Sequence, residues 1–387
     1  MLLCTAMVSS CGDSRYADDP LASSGRTQRT ENLLKNLIAQ ADSGLYMFGH
    51  QDSPVYGIGW EADVNDDASV GTRSDVKSVT GDMPAVMGFD LGHLEIGDSL
   101  NLDGVSFNRM RKEIINHFNR GGMVTLSWHA RNPLSGGSAW VADSLRAEET
   151  HTVEAVLDGG SKHDEMLQRI DRIADFIKSL ETPYGVRIPV LFRPWHEHTG
   201  SWFWWGKDHC TAEQYKALWK MTTERLHDRG VVNVLYAYSP GTESDGDETI
   251  YMERYPGDDM VDLLGLDCYC FAPDADTTKI NGYAAQLDKN LDMICRVAKQ
   301  HGKAAALTET GYECIRTADW WTKTLMPVME RHALSYVLVW RNAHNLANHY
   351  YAPFPGQPST SDFVRFYNAK RSLFRSNVNA LYLGDES

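Results

Sequence analysis

A (β/α)8 barrel, the TIM-barrel arrangement of the α/β class, is the fold this sequence predicts, and three observations predict it. Eight short apolar runs are spread along the chain, amphipathic stretches at helical spacing separate them, and nearly every run passes from apolar to polar at its C-terminal end. A length of 387 residues suits one such barrel with insertions.

The first run is GLYMFGHQ at 44–51, followed by AVMGFDLG at 85–92, GMVTLSWH at 122–129 and IPVLFRPWHE at 188–197. NVLYAYSP at 233–240, DLLGLDCYC from 262, KAAALTETG from 303 and SYVLVWRNA from 335 complete the set. Stretches such as PVLF and AAAL are apolar without alternation, as expected of parallel strands covered on both faces. Between the runs, HDEMLQRIDRIADFIKSL from 163, AEQYKALWKMTTERLHDRG from 212 and YAAQLDKNLDMICRVAKQHG from 283 repeat apolar residues at helical spacing. The last two end in a basic residue followed by glycine, a C-terminal stop signal. No linker interrupts the pattern, so residues 29–387 read as one domain.

Before it, MLLCTAMVSSCGDS is a short apolar run ending in small residues ahead of Cys11, the pattern of a lipoprotein signal, and one that reads as truncated because it lacks a basic start. On this reading residues 1–11 are the signal segment, Cys11 is lipidated, and the polar residues 12–28 form a flexible tether. The chain then belongs at the cell envelope, anchored on the periplasmic or outer side, or is secreted, and meets the membrane only through its lipid. The seven cysteines are odd in number and lack CxxC or Cys/His spacing, so neither a disulfide framework nor a zinc site is implied. A formal net charge of −15 argues against nucleic acid or an anionic bilayer as partner and favours a neutral ligand. Eleven Trp and 17 Tyr supply flat apolar area for sugar faces. A phosphate-binding glycine loop, HExxH and GxSxG are all missing, so no cofactor or metal is expected. A monomer is expected.

The polar strand ends carry the functional reading. His50, Asp90, His129, His196 with Glu197, Ser239, Asp267, Glu309 and Arg341 occupy them, and in a barrel these positions converge on one mouth. Glu197 closes the fourth run and Glu309 the seventh, so two carboxyl groups meet across the axis, as retaining hydrolysis of a glycosidic bond requires. The aromatic surroundings of Glu197 suit a protonated acid/base, whereas Arg193 on the same run and Tyr269 on the sixth suit support of a charged nucleophile at Glu309. Asp267 shares a strand face with Tyr269 and either binds sugar or orients His196. Arg341 either reaches a distal sugar or pairs with Asp267. His50 and Asp90 are the weaker candidates for substrate contact, a structural role in closing the barrel being the other reading. Two long polar loops, 57–80 and 130–160, are placed to shape subsites.

RPWHE followed by TGSWFWWG, then LLGLDCY, TETG and VLVWRNA, resemble glycoside hydrolase family 26, and the likeness extends from GHQD at 49–52 to WRNA at 340–343. The resemblance implies a (β/α)8 barrel with retaining chemistry on β-1,4-mannans, galactomannan or glucomannan, with Glu197 as acid/base and Glu309 as nucleophile. It also implies that His129, His196, Trp202, Tyr269, Trp340 and Arg341 line the sugar subsites. Release of mannobiose from chain ends, cleavage of mixed-linkage β-glucan or β-1,3-xylan, and a catalytically silent glycan-binding lipoprotein are the alternatives.

Overall fold

The computed structural model describes residues 19–141 and 150–384; the signal segment with Cys11 lies outside them. The strands are β1 (Tyr46–Gln51), β2 (Val86–Asp90), β3 (Met123–Trp128), β4 (Val190–Pro194), β5 (Val234–Tyr238), β6 (Leu263–Cys270), β7 (Ala304–Tyr312) and β8 (Tyr336–Val339). Each pairs in parallel with the next, and β8 pairs with β1, so the eight close into a barrel. All eight expected runs are strands; most are shortened by a residue or two at their ends, the fourth and eighth lose three and four residues at their C-terminal ends, and the seventh runs one residue further, to Tyr312. Ser372–Leu373 adds a short ninth strand beside the start of β1.

Strand alternation divides the core into two layers. Met47, Val86, Met123, Leu191, Leu235, Leu263, Ala304 and Tyr336 point inward and fill the lower barrel with Leu33 and Leu37. Those two leucines belong to α1 (Gln28–Asp42), which covers the N-terminal end of the barrel. Phe48, Phe89, Leu126, Phe192, Tyr238, Leu266 and Val337 point outward, against the surrounding helices. Among these helices, α2 (Ala212–Asp228) starts from a capping box between Thr211 and Gln214, and α3 (Thr277–His301) stops at Gly302 in the left-handed region, φ 65°.

The ordered structure begins earlier than the tether reading placed it. Leu21 and Thr27 form an antiparallel bridge, and the Arg26 guanidinium is bidentate on Asp262 at 2.7 and 2.8 Å, at the start of β6. The chain is therefore docked on the N-terminal face of the barrel before the first helix starts.

Candidate active site

At the opposite end the inward positions turn polar. On β4, alternation carries Leu191 and then Arg193 to the axis. Beyond the strand, Trp195 and Glu197 both take left-handed backbone conformations, φ 51° and 52°, which side-chain-bearing residues seldom adopt. Buried aromatic groups hold this turn: Trp205 Nε1 donates to the His196 carbonyl at 2.8 Å and Tyr215 Oη to the Trp195 carbonyl at 2.9 Å. The Glu197 N–H donates to the Ser239 carbonyl at 2.8 Å, beyond β5. Of the tryptophan cluster, Trp204 and Trp205 are fully buried, and only Trp202 reaches the mouth. Gly200 makes that possible, because a Cβ there would lie 2.1 Å from the Trp202 ring.

Glu309 reaches the axis by a different device. Leu307 faces outward, so an unbroken strand would send Glu309 outward too. Leu266 pairs with Leu307 but Asp267 with Glu309, so Thr308 is an extra residue, a β-bulge that turns both Thr308 and Glu309 inward. Glu309 Oε1 then accepts a very short bond from Arg193, and Oε2 accepts one from Tyr269 Oη at 2.7 Å. Both oxygens accept hydrogen bonds, as those of a carboxylate do. Glu197 is half-buried and its Oε2 accepts from Trp202 Nε1 at 2.6 Å. Burial, and then the neighbouring charge of Glu309, push the Glu197 carboxyl up to about 7. One oxygen each of Glu197, Glu309 and Asp267 lie within 4.8 Å of one another. Three clustered carboxyl groups are also a donor set for a cation, and Arg193 supplies the positive charge there, reaching both Asp267 and Glu309.

The other expected residues divide into those at the mouth and those beneath it. Asp267 Oδ2 accepts from Arg193 at 2.6 Å and Ser239 at 2.9 Å, and its Oδ1 from Thr308 at 2.7 Å. These contacts engage both its oxygens and make it the group that holds Arg193, and none of them is to His196. Asp90 likewise serves another side chain: it accepts from Ser127 at 2.6 Å, and its Oδ2 lies 2.6 Å from His129 Nδ1. Burial opposes the charge on Asp90, but His129, Ser127 and the Gly92 N–H outweigh it and bring its carboxyl down to about 2. For His129, burial is also overcome, by the Asp90 charge, and the ring is raised. His196, 3.2 Å away between Nε2 atoms, is lowered by burial and by Arg193 and His129. Of the two rings, His129 is therefore the one that holds a proton more readily.

His50 does not face the mouth. It shares the parity of Tyr46 and Phe48, is 1% exposed, and burial lowers it to about 3. Arg341 is paired with Asp103 at 2.9 Å rather than with Asp267, and a buried Tyr56 hydroxyl, itself bonded to Asp52 at 2.6 Å, lies 3.4 Å from it. Arg341 and Asp103 line a cavity of about 640 Å³ between the loops after β8 and β2, with Leu102 and Leu346 on its rim. Trp340 is half-buried, its ring 6.1 Å from that of His129. Sequence reasoning missed Thr308, Asp103 and Phe203; the Phe203 ring lies 5.2 Å from both His129 and His196. Only the TETG motif held a signal for Thr308, and the loop around Asp103 held none.

Glycosyl hydrolase family 26 matches residues 22–320. The chain belongs to that family. A GH26 β-mannanase from Bacteroides ovatus is 52% identical, with a TM-score of 0.86, over 94% of this chain and 99% of that one. A modular endo-β-1,4-mannanase from Cellulomonas fimi is 32% identical, with a TM-score of 0.80, over 95% of this chain and 80% of that one. Among curated relatives, a mannan endo-1,4-β-mannosidase of Bifidobacterium adolescentis is 32% identical over 81% of this chain. The matched region spans 32% of that relative's length, and 58% of a Bacillus subtilis relative of the same name.

Proposed function

We propose that this family 26 member hydrolyses internal β-1,4-mannosidic bonds of mannans with retention of configuration, with Glu197 as acid/base and Glu309 as nucleophile. The observation that carries the reading is the approach of the two carboxyl groups within 4.8 Å in unlike surroundings. Retaining glycosidases hold their carboxyl groups about 5–5.5 Å apart, whereas inverting ones leave about 6.5–9.5 Å for a water. Glu309, held by Arg193 and Tyr269, attacks the anomeric carbon while Glu197 gives its proton to the departing oxygen. The glycosyl–Glu309 ester is then opened by water, whose proton Glu197 takes back.

Mannan as substrate is supported by the names of the relatives, and His129, His196, Trp202, Trp340 and Arg341 are the residues we assign to the sugar subsites. Proton NMR of the first product from mannopentaose tests the stereochemistry, with the β anomer expected. Initial appearance of the α anomer overturns the double displacement. Product profiles on mannan, galactomannan and lichenan separate internal cleavage from mannobiose release and mannan from mixed-linkage glucan. We also infer attachment to the cell envelope through Cys11, on the N-terminal sequence alone.

A further inference from the structure

Among the described residues, Phe271 is the most exposed of the large apolar side chains, at 81%. A solitary exposed apolar side chain is ordinary on a protein surface; the position of this one is not. Asp267 and Tyr269 face the axis from β6, and Phe271, two residues further on, continues that parity just beyond the strand. Its ring centroid lies 6.3 Å from that of Tyr269, close to the rise of about 6.6 Å expected for two strand residues. Tyr269 in turn donates to Glu309, so Phe271 stands one rung above the partner of the nucleophile. The backbone beneath it is fixed. Cys270 and Ala272 on either side are buried, and the Ala272 carbonyl accepts from Tyr312 Oη at 2.8 Å.

The topology gives this ring a direction. The Arg341–Asp103 cavity lies between the loops after β8 and β2, and in a ring of eight strands β6 lies opposite β2. Glu197 follows β4, toward the β5–β6 side, and Glu309 lies on β7, between β6 and β8. Because the acid must face the departing oxygen and the nucleophile the anomeric carbon, departing sugars extend toward β6 and retained sugars toward the cavity.

We propose that Phe271 is a stacking platform for a pyranose on the leaving-group side of the cleft, a proposal that rests on the roles assigned to Glu197 and Glu309. The C–H face of a β-linked mannose lies on the phenyl ring, and the anchored backbone keeps the ring in place without a sugar. The same platform serves the second half of the reaction. An acceptor sugar seated there has its hydroxyl attack the anomeric carbon of the glycosyl–Glu309 ester, Glu197 takes the hydroxyl proton, the ester C–O bond breaks, and Glu309 leaves as the carboxylate. Phe271 therefore also raises the share of transfer over hydrolysis.

Phe271→Ala and Phe271→Trp are compared with the wild type on mannopentaose and on an activated aryl β-mannobioside, which carries no leaving-side sugar. For Phe271→Ala, kcat/KM on mannopentaose is expected to fall about three- to tenfold, in line with the loss of one aromatic stacking contact. The aryl substrate is expected to be cleaved as before, transfer to added mannobiose to fall in proportion, and Phe271→Trp to restore both. Unchanged mannopentaose kinetics overturn the proposal, as does an equal loss on both substrates accompanied by a lower melting temperature. A wild type inactive on both substrates sinks the reading of the site, and the platform with it.

Discussion

The two glutamates at the mouth are the same residue type a few ångströms apart, yet their surroundings differ in every respect. Glu309 sits on a strand, turned inward by a bulge, with a buried arginine and a tyrosine hydroxyl on its two oxygens. Glu197 sits on a turn in a left-handed conformation held by a buried tryptophan and a buried tyrosine, and its partner is the neutral indole of Trp202. Placement on a cation-bearing wall stabilises a charge, and placement against aromatic rings stabilises a proton. The pair shows that roles in such a site are set by what lies around a carboxyl group, not by the group itself.

The most severe way to break this comparison is Glu309→Ala, expected to lower turnover at least about 10^4-fold on mannan and on activated aryl mannosides alike. Rates within about tenfold of wild type on either substrate would remove it from the mechanism. Glu197→Ala sharpens the contrast, because an acid matters in proportion to the basicity of the leaving group. The loss is expected at about 10^2–10^4-fold on mannan and far less for formation of the glycosyl-enzyme from a dinitrophenyl glycoside, read from pre-steady-state bursts. Arg193→Met leaves Asp267 and Glu309 buried side by side without their shared cation. Denaturant unfolding should show a loss of about 3–5 kcal/mol, and an unchanged midpoint would mean the wall is not what holds Glu309.

Smaller effects concern protons. With Glu197 pushed up to about 7, kcat/KM should fall as pH rises through that value, since the ionised acid cannot donate. Asp90→Asn should move this alkaline limb to higher pH, because Asp90 sustains the positive charge on His129, and that charge favours ionisation of Glu197. A limb that stays in place would reduce Asp90 to a packing role. The weakest effect is on stability. A carboxyl whose folded pKa is raised favours the native state at pH below its ordinary value, and that contribution is lost as pH rises to about 7. Glu197→Gln should therefore raise the melting temperature at pH 8 relative to wild type, with a smaller difference at pH 4.

Much of this was legible in one chain. Apolar runs of strand length separated by helical periodicity specify a barrel because both patterns record which faces are covered, and burial of those faces drives the fold. Glu197, Glu309, Arg193 and Tyr269 were readable as a group because they close strands that end at the same mouth. What misled was the assumption that any polar residue at a strand end faces the mouth. His50 lies on the outward parity of β1, and Asp90 and Asp267 do face inward but spend their oxygens on His129 and Arg193.

By itself, then, the sequence determined the barrel, the set of polar strand ends and the two carboxyl groups at their mouth, because local periodicity and residue type are written along the chain. Only the tertiary structure decided that Thr308 is an extra residue which turns Glu309 to the axis, that Arg193 joins Asp267 to Glu309, and that Arg341 belongs to Asp103. The physical reason is that register and ion pairing are settled between segments distant in the chain, where a shift of one residue reverses the direction of a side chain while leaving the local pattern almost unchanged.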